Sequence, residues 1–258
     1  MVKREINSGL ARIILSEPQS GNALNVSMIS QLHEFLWQSM NDKSCRTIIL
    51  SAEGPNFCNG LDLQAVYFDN GPDNKNLMDL FFKCLTLISD SSVPVIASVS
   101  GNVMGGGVGL VAACDIVIAA GHVTFMLPEI IIGMIPALIT PFLLRRMTPG
   151  SLRYLAISAK RINAQEAKNF GLIDEIALPE MEEALNKQIQ RLFRVSPRAV
   201  AETKKYINSF SDENLERQKS EAMSALISWL STPESINGIK AFATGCAPVW
   251  FQNHKRKK

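Results

Sequence analysis

Residues 100–129 read SGNVMGGGVGLVAACDIVIAAGHVTFMLPE, and the three consecutive glycines in that stretch, Gly105 to Gly107, restrict the possible fold more than any other feature. They follow the apolar run 93–99 and precede the small-residue segment 108–113, an order that predicts a strand, a tight turn and a helix. Residues without Cβ let a ligand come close to the main chain. The first N–H groups of a helix have no intrahelical partner and carry the positive end of its dipole. A carbonyl oxygen that gains negative charge is stabilised at such a place. The chain then returns through DIVIAA to Glu129, a carboxylate between Pro128 and three isoleucines. Apolar surroundings oppose ionisation, so the expected pKa rises toward the range of a general acid or base. A GGG turn also serves plain packing, and a glutamate beside apolar residues also serves as a helix start, so the pattern needs a second signal.

That signal is FCNGLDL at 57–63, which follows a strand-like run at 47–52 and a turn at 53–56. Two glycine-containing bends, each at the end of a strand, can pinch one oxygen between them. Elsewhere strands and helices alternate. LARIILS at 10–16 reads as a strand, 26–40 as an amphipathic helix, 77–88 as a helix, 115–120 as a strand and 172–177 as the last strand. Helices are expected at about 180–194, 197–210 and 212–230, with Met223, Leu226, Trp229 and Leu230 as core or subunit contact. Alternation of this kind implies an α/β fold with parallel strands, and periodicity alone favours a doubly wound sheet. The stretch DNGPDNK at 69–75 is the most loop-like in the chain and stands as a candidate lid or a plain surface connection.

Composition excludes several classes. With 258 residues, 47% hydrophobic and 19% charged, the chain is globular and long enough for one large core. A net charge of +2 gives no basic face for dedicated nucleic-acid binding. The five cysteines are scattered without a CxxC pair, which speaks against a disulfide framework or zinc ribbon and fits a reducing cytoplasm. Charged residues interrupt the first twenty positions and no apolar run reaches membrane-spanning length, so neither a signal peptide nor a membrane segment is expected. Three histidines, His33, His122 and His254, do not suggest a zinc site or a Ser-His-Asp triad, and no metal is expected. GGGVG lacks the later ribose-binding acid of a dinucleotide site. The tail HKRKK at 254–258 is a solvated end or an attraction for phosphate or an acidic carrier protein.

NALN near the amino terminus, FCNGLDL, the Gly-rich helix start and FMLPEIIIGMIP occur in an order and spacing that resemble the enoyl-CoA hydratase/isomerase, or crotonase, family over nearly the whole chain. The resemblance implies a spiral of strand-strand-helix repeats over 1–195 and a helical trimerisation region over 196–258. It implies an oxyanion hole made by the backbone N–H groups of Leu61 and Gly106 around a thioester carbonyl, with Glu129 as the catalytic carboxylate. Gly60, Asp62, Gly105, Gly109 and Tyr67 complete the expected substrate-binding set. Hydratases of the family carry two catalytic glutamates. Here the first falls on Gly109, which argues against ordinary two-glutamate hydration and suggests room for a branched substrate.

Within the family, GGVGLVAACDIVIA, PFLLRRM, KKYIN and the ending GCAPVW resemble the stand-alone dehydratases of polyketide β-branching. Those enzymes remove water from a 3-hydroxy-3-methylglutaryl group on an acyl carrier protein. The substrate is then carried on the phosphopantetheine of a carrier protein or of CoA, no separate cofactor is needed, and the protein is a homotrimer or a hexamer. Tyr67 is a candidate proton donor to the leaving hydroxyl beside Glu129 itself. Rival readings are a fatty-acyl-CoA double-bond isomerase or hydratase, the decarboxylase of the same pathway, and a binding protein on the same scaffold, RNA-binding included.

Overall fold

The computed structural model describes residues 1–62, 74–210 and 215–251. Two sheets stand where periodicity favoured one. Strands β1 (Val2–Asn7), β2 (Leu10–Leu15), β3 (Thr47–Ala52), β5 (Val95–Val99), β7 (Ile116–Ala119) and β10 (Glu175–Ile176) form a six-stranded sheet in that spatial order. β4 (Asn56–Cys58), β6 (Asn102–Met104), β8 (Thr124–Met126) and β9 (Ile162–Asn163) form a second, four-stranded sheet. Pairing is antiparallel between β1 and β2 and between β8 and β9, and parallel elsewhere.

Chain order alternates between the sheets. β3 leads to β4 and then to helix α2 (Asn74–Asp90); β5 leads to β6 and then to α3 (Gly106–Ala113); β7 leads to β8 and a 3-10 turn, Glu129–Ile132. Each repeat gives one strand to each sheet, which is a spiral of strand-strand-helix units. The strands of the second sheet have three residues or fewer, too short to show a period-2 pattern, so a single doubly wound sheet is corrected to two. For the same reason the glycines do not follow the buried strand directly, because β6 stands between. The expected strand at 172–177 pairs only over Glu175–Ile176, while Leu172 and Ile173 are buried ahead of it.

The buried faces follow from spacing. Helix α1 (Val26–Asn41) is capped by Asn25, whose side chain accepts from the Met28 N–H at 2.8 Å, and it buries Met28, Ile29, Leu32 and Leu36. β5 is buried at every residue, as a parallel strand covered on both faces must be. All eight residues of α3 are buried, which explains its lack of an amphipathic pattern.

Beyond β8 the chain is mainly helical: α4 (Thr140–Leu144), α5 (Pro149–Ser158), α6 (Ala164–Asn169), α7 (Met181–Phe193), α8 (Pro197–Ser209), α9 (Leu215–Leu230) and α10 (Pro233–Ala243). Met223 and Leu226 are core, whereas Trp229 is partly exposed and its Nε1 donates to the Gly133 carbonyl at 2.7 Å. Trp250, in the GCAPVW ending, packs so closely on Gly133 and Gly238 that a Cβ at either would lie within 2.9 Å of its ring. These contacts brace the segment that carries Glu129. Among the described residues no helix is long and apolar enough to cross a membrane.

Candidate active site

The amino-terminal NALN motif holds the first bend in place. Asn22 is buried, its Nδ2 donates to the carbonyls of Glu53 and Asn56 at 2.9 and 2.8 Å, and its Oδ1 accepts from the Glu17 N–H at 2.7 Å. Leu24 forms an isolated parallel bridge with Leu61. Its N–H donates to the Gly60 carbonyl at 2.8 Å, and its carbonyl accepts from the Asp62 N–H at 3.2 Å. Such a bridge uses the groups on either side of Leu61 and turns the Leu61 N–H the other way. Among the described residues nothing accepts it.

The second bend starts at Gly105, whose φ of 51° and ψ of −122° fit a residue without Cβ. Its N–H donates to the Met126 carbonyl at 3.0 Å, and its carbonyl accepts from Val108 at 2.9 Å to begin α3. Gly106 is the first residue of the helix, so its N–H has no intrahelical acceptor. The two bends touch. Gly60 has φ +87°, and a Cβ there would lie 3.0 Å from the Met104 carbonyl oxygen and 3.1 Å from the Gly106 nitrogen. A Cβ at Gly107 would lie 2.6 Å from the Cys58 carbonyl oxygen. Glycine at these positions lets α3 abut β4 and brings two unpaired N–H donors, from separate strands of the second sheet, to one place.

Glu129 opens the 3-10 turn after β8, and the turn is closed by Gly133 in the left-handed region. The carboxylate lies over the second bend: a Cβ at Gly105 would be 3.3 Å from Glu129 Oε1. The residue keeps partial exposure, yet its Oε2 is sealed from solvent and has no hydrogen-bond partner among the described residues. Burial raises its pKa to about 7, opposed only by its own backbone N–H. A cavity of about 40 Å³ adjoins Leu61, Gly106 and Glu129, with Phe81, Met134, Ile139 and Leu226 among its apolar walls. No lysine, arginine or histidine lines it among the described residues. None of the described residues form a group of three His, Cys, Asp or Glu able to hold a metal ion.

Leu61, Gly106, Glu129, Gly60 and Gly105 are thus brought together, and Asp62 contributes its N–H to the bridge with Leu24. The expectation of open space at Gly109 is corrected. A Cβ there would overlap Ile139 Cγ2 and stand 2.9 Å from Ile139 Cβ, so the isoleucine already fills the volume that a longer residue would use. Tyr67 and the tail at 254–258 lie outside the described residues, as does the candidate lid except for Asn74 and Lys75, which begin α2. Ile139, Phe81 and Leu226 were not legible as site residues, because each is an ordinary apolar residue that reaches the cavity only through tertiary packing.

Residues 5–253 match the enoyl-CoA hydratase/isomerase family. The chain belongs to the enoyl-CoA hydratase/isomerase, or crotonase, family. It is 30% identical over 244 residues to the bacillaene synthase dehydratase PksH of Bacillus subtilis, covering 92% of each chain. The solved pksH structure from that organism superposes with a TM-score of 0.84 at 28% identity, covering 96% of this chain and 98% of the other. An enoyl-CoA hydratase from Mycobacterium avium superposes with a TM-score of 0.87 at 28% identity, covering 97% and 98%. The family makes this crotonase-fold protein an enzyme of the hydratase and dehydratase class, a carbon-oxygen lyase.

Proposed function

We propose that this crotonase-family enzyme dehydrates a 3-hydroxy-3-methylglutaryl group carried on the phosphopantetheine of an acyl carrier protein, giving the 3-methylglutaconyl thioester. The observation that carries the reading is a single apolar-buried carboxylate, with a pKa of about 7, beside two unpaired N–H groups. The thioester oxygen sits between the Leu61 and Gly106 N–H groups, where the enolate charge develops. Glu129 takes the α-proton, the Cα–H electron pair becomes the enolate, and collapse of the enolate expels the β-hydroxyl. Glu129 returns its proton to that oxygen and water leaves, so the carboxylate ends ionised, as it began. A pKa near neutrality suits a group that must both take and give a proton. The likeness to a dehydratase of polyketide synthesis supports the choice of substrate.

The apolar walls around Glu129 favour a second reading. The free carboxylate of a methylglutaryl group meets no cation among the described walls, whereas a neutral acyl chain needs none. On that reading Glu129 carries a proton between carbons of an enoyl-CoA, as a double-bond isomerase does. Mass spectrometry of 3-hydroxy-3-methylglutaryl-carrier protein and its CoA analogue after exposure to the enzyme, together with chromatographic resolution of the 2- and 3-enoyl-CoA isomers, which have equal mass, separates the two. Loss of 18 Da from the branched thioester is the expected outcome, and isomerised 3-enoyl-CoA with an untouched branched substrate would reverse the order. The proposal extends to a homotrimer or a dimer of trimers built on α8 to α10, whose Tyr206, Phe210 and Phe242 are exposed. It places the enzyme in a reducing cytoplasm, where free thiols such as Cys58, Cys84 and Cys114 persist.

A further inference from the structure

Glu129 depends on its backbone for its place. Among the described residues its Oε2 has no hydrogen-bond partner, and burial and its own backbone N–H are what act on its proton affinity. The cavity beside it is walled by α2, α3, α9, Leu61 and the segment 134–139, and none of these turns a charged side chain into it. The 3-10 turn that begins at Glu129 has no side-chain cap at its start. The aim of the carboxyl is therefore set by how the turn itself is held. A displacement of about 1 Å at a reacting group can cost on the order of a hundredfold in rate.

The hold is at the far end. Gly133 closes the turn with φ 70°, the Met134 N–H donates to the Glu129 carbonyl at 2.8 Å, and the Gly133 carbonyl accepts from Trp229 Nε1 at 2.7 Å. The amino-terminal part of α10 and the carboxy-terminal ending close on the same glycine. A Cβ at Gly133 would lie 2.9 Å from Trp250 Cη2 and 3.0 Å from the Glu234 carbonyl oxygen. The contact from Trp229 is the directed one, since a hydrogen bond fixes both distance and angle. Leu226 stands three residues before Trp229 on α9, is 2% exposed and walls the cavity beside Glu129. Residues at that spacing share a helix face. One face of α9 thus dries the carboxyl and anchors the turn that carries it.

We propose that Trp229 is a positioning residue for Glu129, its indole N–H acting through the Gly133 carbonyl to hold the turn that aims the carboxyl at the glycine bends. The assignment rests on Glu129 being the acid and base of the reaction proposed above. Trp229→Phe keeps a ring on α9 and removes the donor, at a side chain 36% exposed. Two measurements on the full chain read the result. Turnover of the branched thioester should lose at least about fivefold in kcat with KM within about twofold, the size of one hydrogen bond. NMR titration of the Glu129 carboxyl carbon, assigned with Glu129→Gln, should place the wild-type midpoint at about pH 7 and the variant's lower by at least about 0.5, because a loosened turn admits water. Loss of packing alone would lower the melting temperature and move neither. Trp229→Leu, which also lacks the donor and favours a helix, decides the matter if Trp229→Phe does not fold. An unmoved midpoint, or a smaller loss in kcat, would overturn the assignment. A wild-type protein inactive on the branched thioester would instead fault the proposed reaction, and the titration then decides the role of Trp229 by itself.

Discussion

Gly109 and Ile139 form one packing unit, and replacing the glycine alone is the sharpest perturbation of it. In Gly109→Glu the new Cβ overlaps Ile139 Cγ2 and lies 2.9 Å from Ile139 Cβ before the rest of the side chain is placed. Both positions are buried, with Ile139 3% exposed, so neither can relieve the overlap by turning to solvent. Overpacking of this kind costs about 1–3 kcal/mol. A carboxyl confined there also loses about 1–3 kcal/mol of hydration unless it finds a donor. The single variant should therefore lose roughly 2–6 kcal/mol, a large part of the ~5–15 kcal/mol that holds a typical domain together. Ile139→Ala alone should cost about 2–5 kcal/mol through the cavity it leaves. Combined, the two changes exchange volume, and urea unfolding of the four proteins should show a favourable coupling above about 1 kcal/mol. Turnover of the branched thioester should fall in Gly109→Glu, because the displaced isoleucine is itself a wall of the cavity beside Glu129. Additive single costs, or a Gly109→Glu protein as stable and as active as wild type, would show that Ile139 does not own that space.

Glu129→Gln should lower turnover at least a thousandfold while preserving the circular dichroism spectrum and thioester binding; activity within tenfold of wild type would remove Glu129 from the chemistry. The pH profile of kcat/KM should rise with an apparent pKa of about 7, since the base must be ionised in the free enzyme. Because the folded pKa is raised above the ordinary glutamate value of 4.5, the native state binds more protons than the unfolded one between those values, and the stabilisation present below pH 4.5 is lost as pH rises through about 7. The ceiling is about 3 kcal/mol, so Glu129→Gln should melt higher than wild type at pH 8 and the gap should close toward pH 4.5; a gap independent of pH would contradict the buried-acid account. Gly106→Pro should fold, as the first helical position tolerates proline, yet lose about 10²–10³ in kcat with its N–H. Tight contacts with Leu24 and Phe81, at 3.2 and 3.3 Å from a Cβ there, make a melting curve a necessary control, and a folded variant with normal turnover would put the oxyanion elsewhere.

What the sequence reveals and what it hides follow from the range over which each constraint acts. Gly105, Gly106 and Glu129 were legible because their demands are local: a turn that no Cβ fits, a helix start, and an acid among isoleucines. Leu61 required the motif as well, since its own side chain says nothing and only the Leu24 bridge turns its N–H toward the site. The second sheet escaped periodicity because three residues carry no pattern, yet those strands bring Gly60 and Gly105 into contact. Gly109 shows the opposite failure, in which an empty letter was read as an empty space. A glycine marks only that its own residue has no side chain, and a close-packed interior fills the volume from across the chain. Thirty residues on, Ile139 does so. The bare backbone at Gly109 and the side chain of Ile139 are therefore one packing arrangement. It gives the cavity beside Glu129 a dry wall. Hydration and dehydration share one transition state, so that wall does not set the direction of the chemistry; it sets the shape of acyl group that fits beside Glu129, and the packing of Ile139 on Gly109 therefore bears on substrate choice as well as on stability.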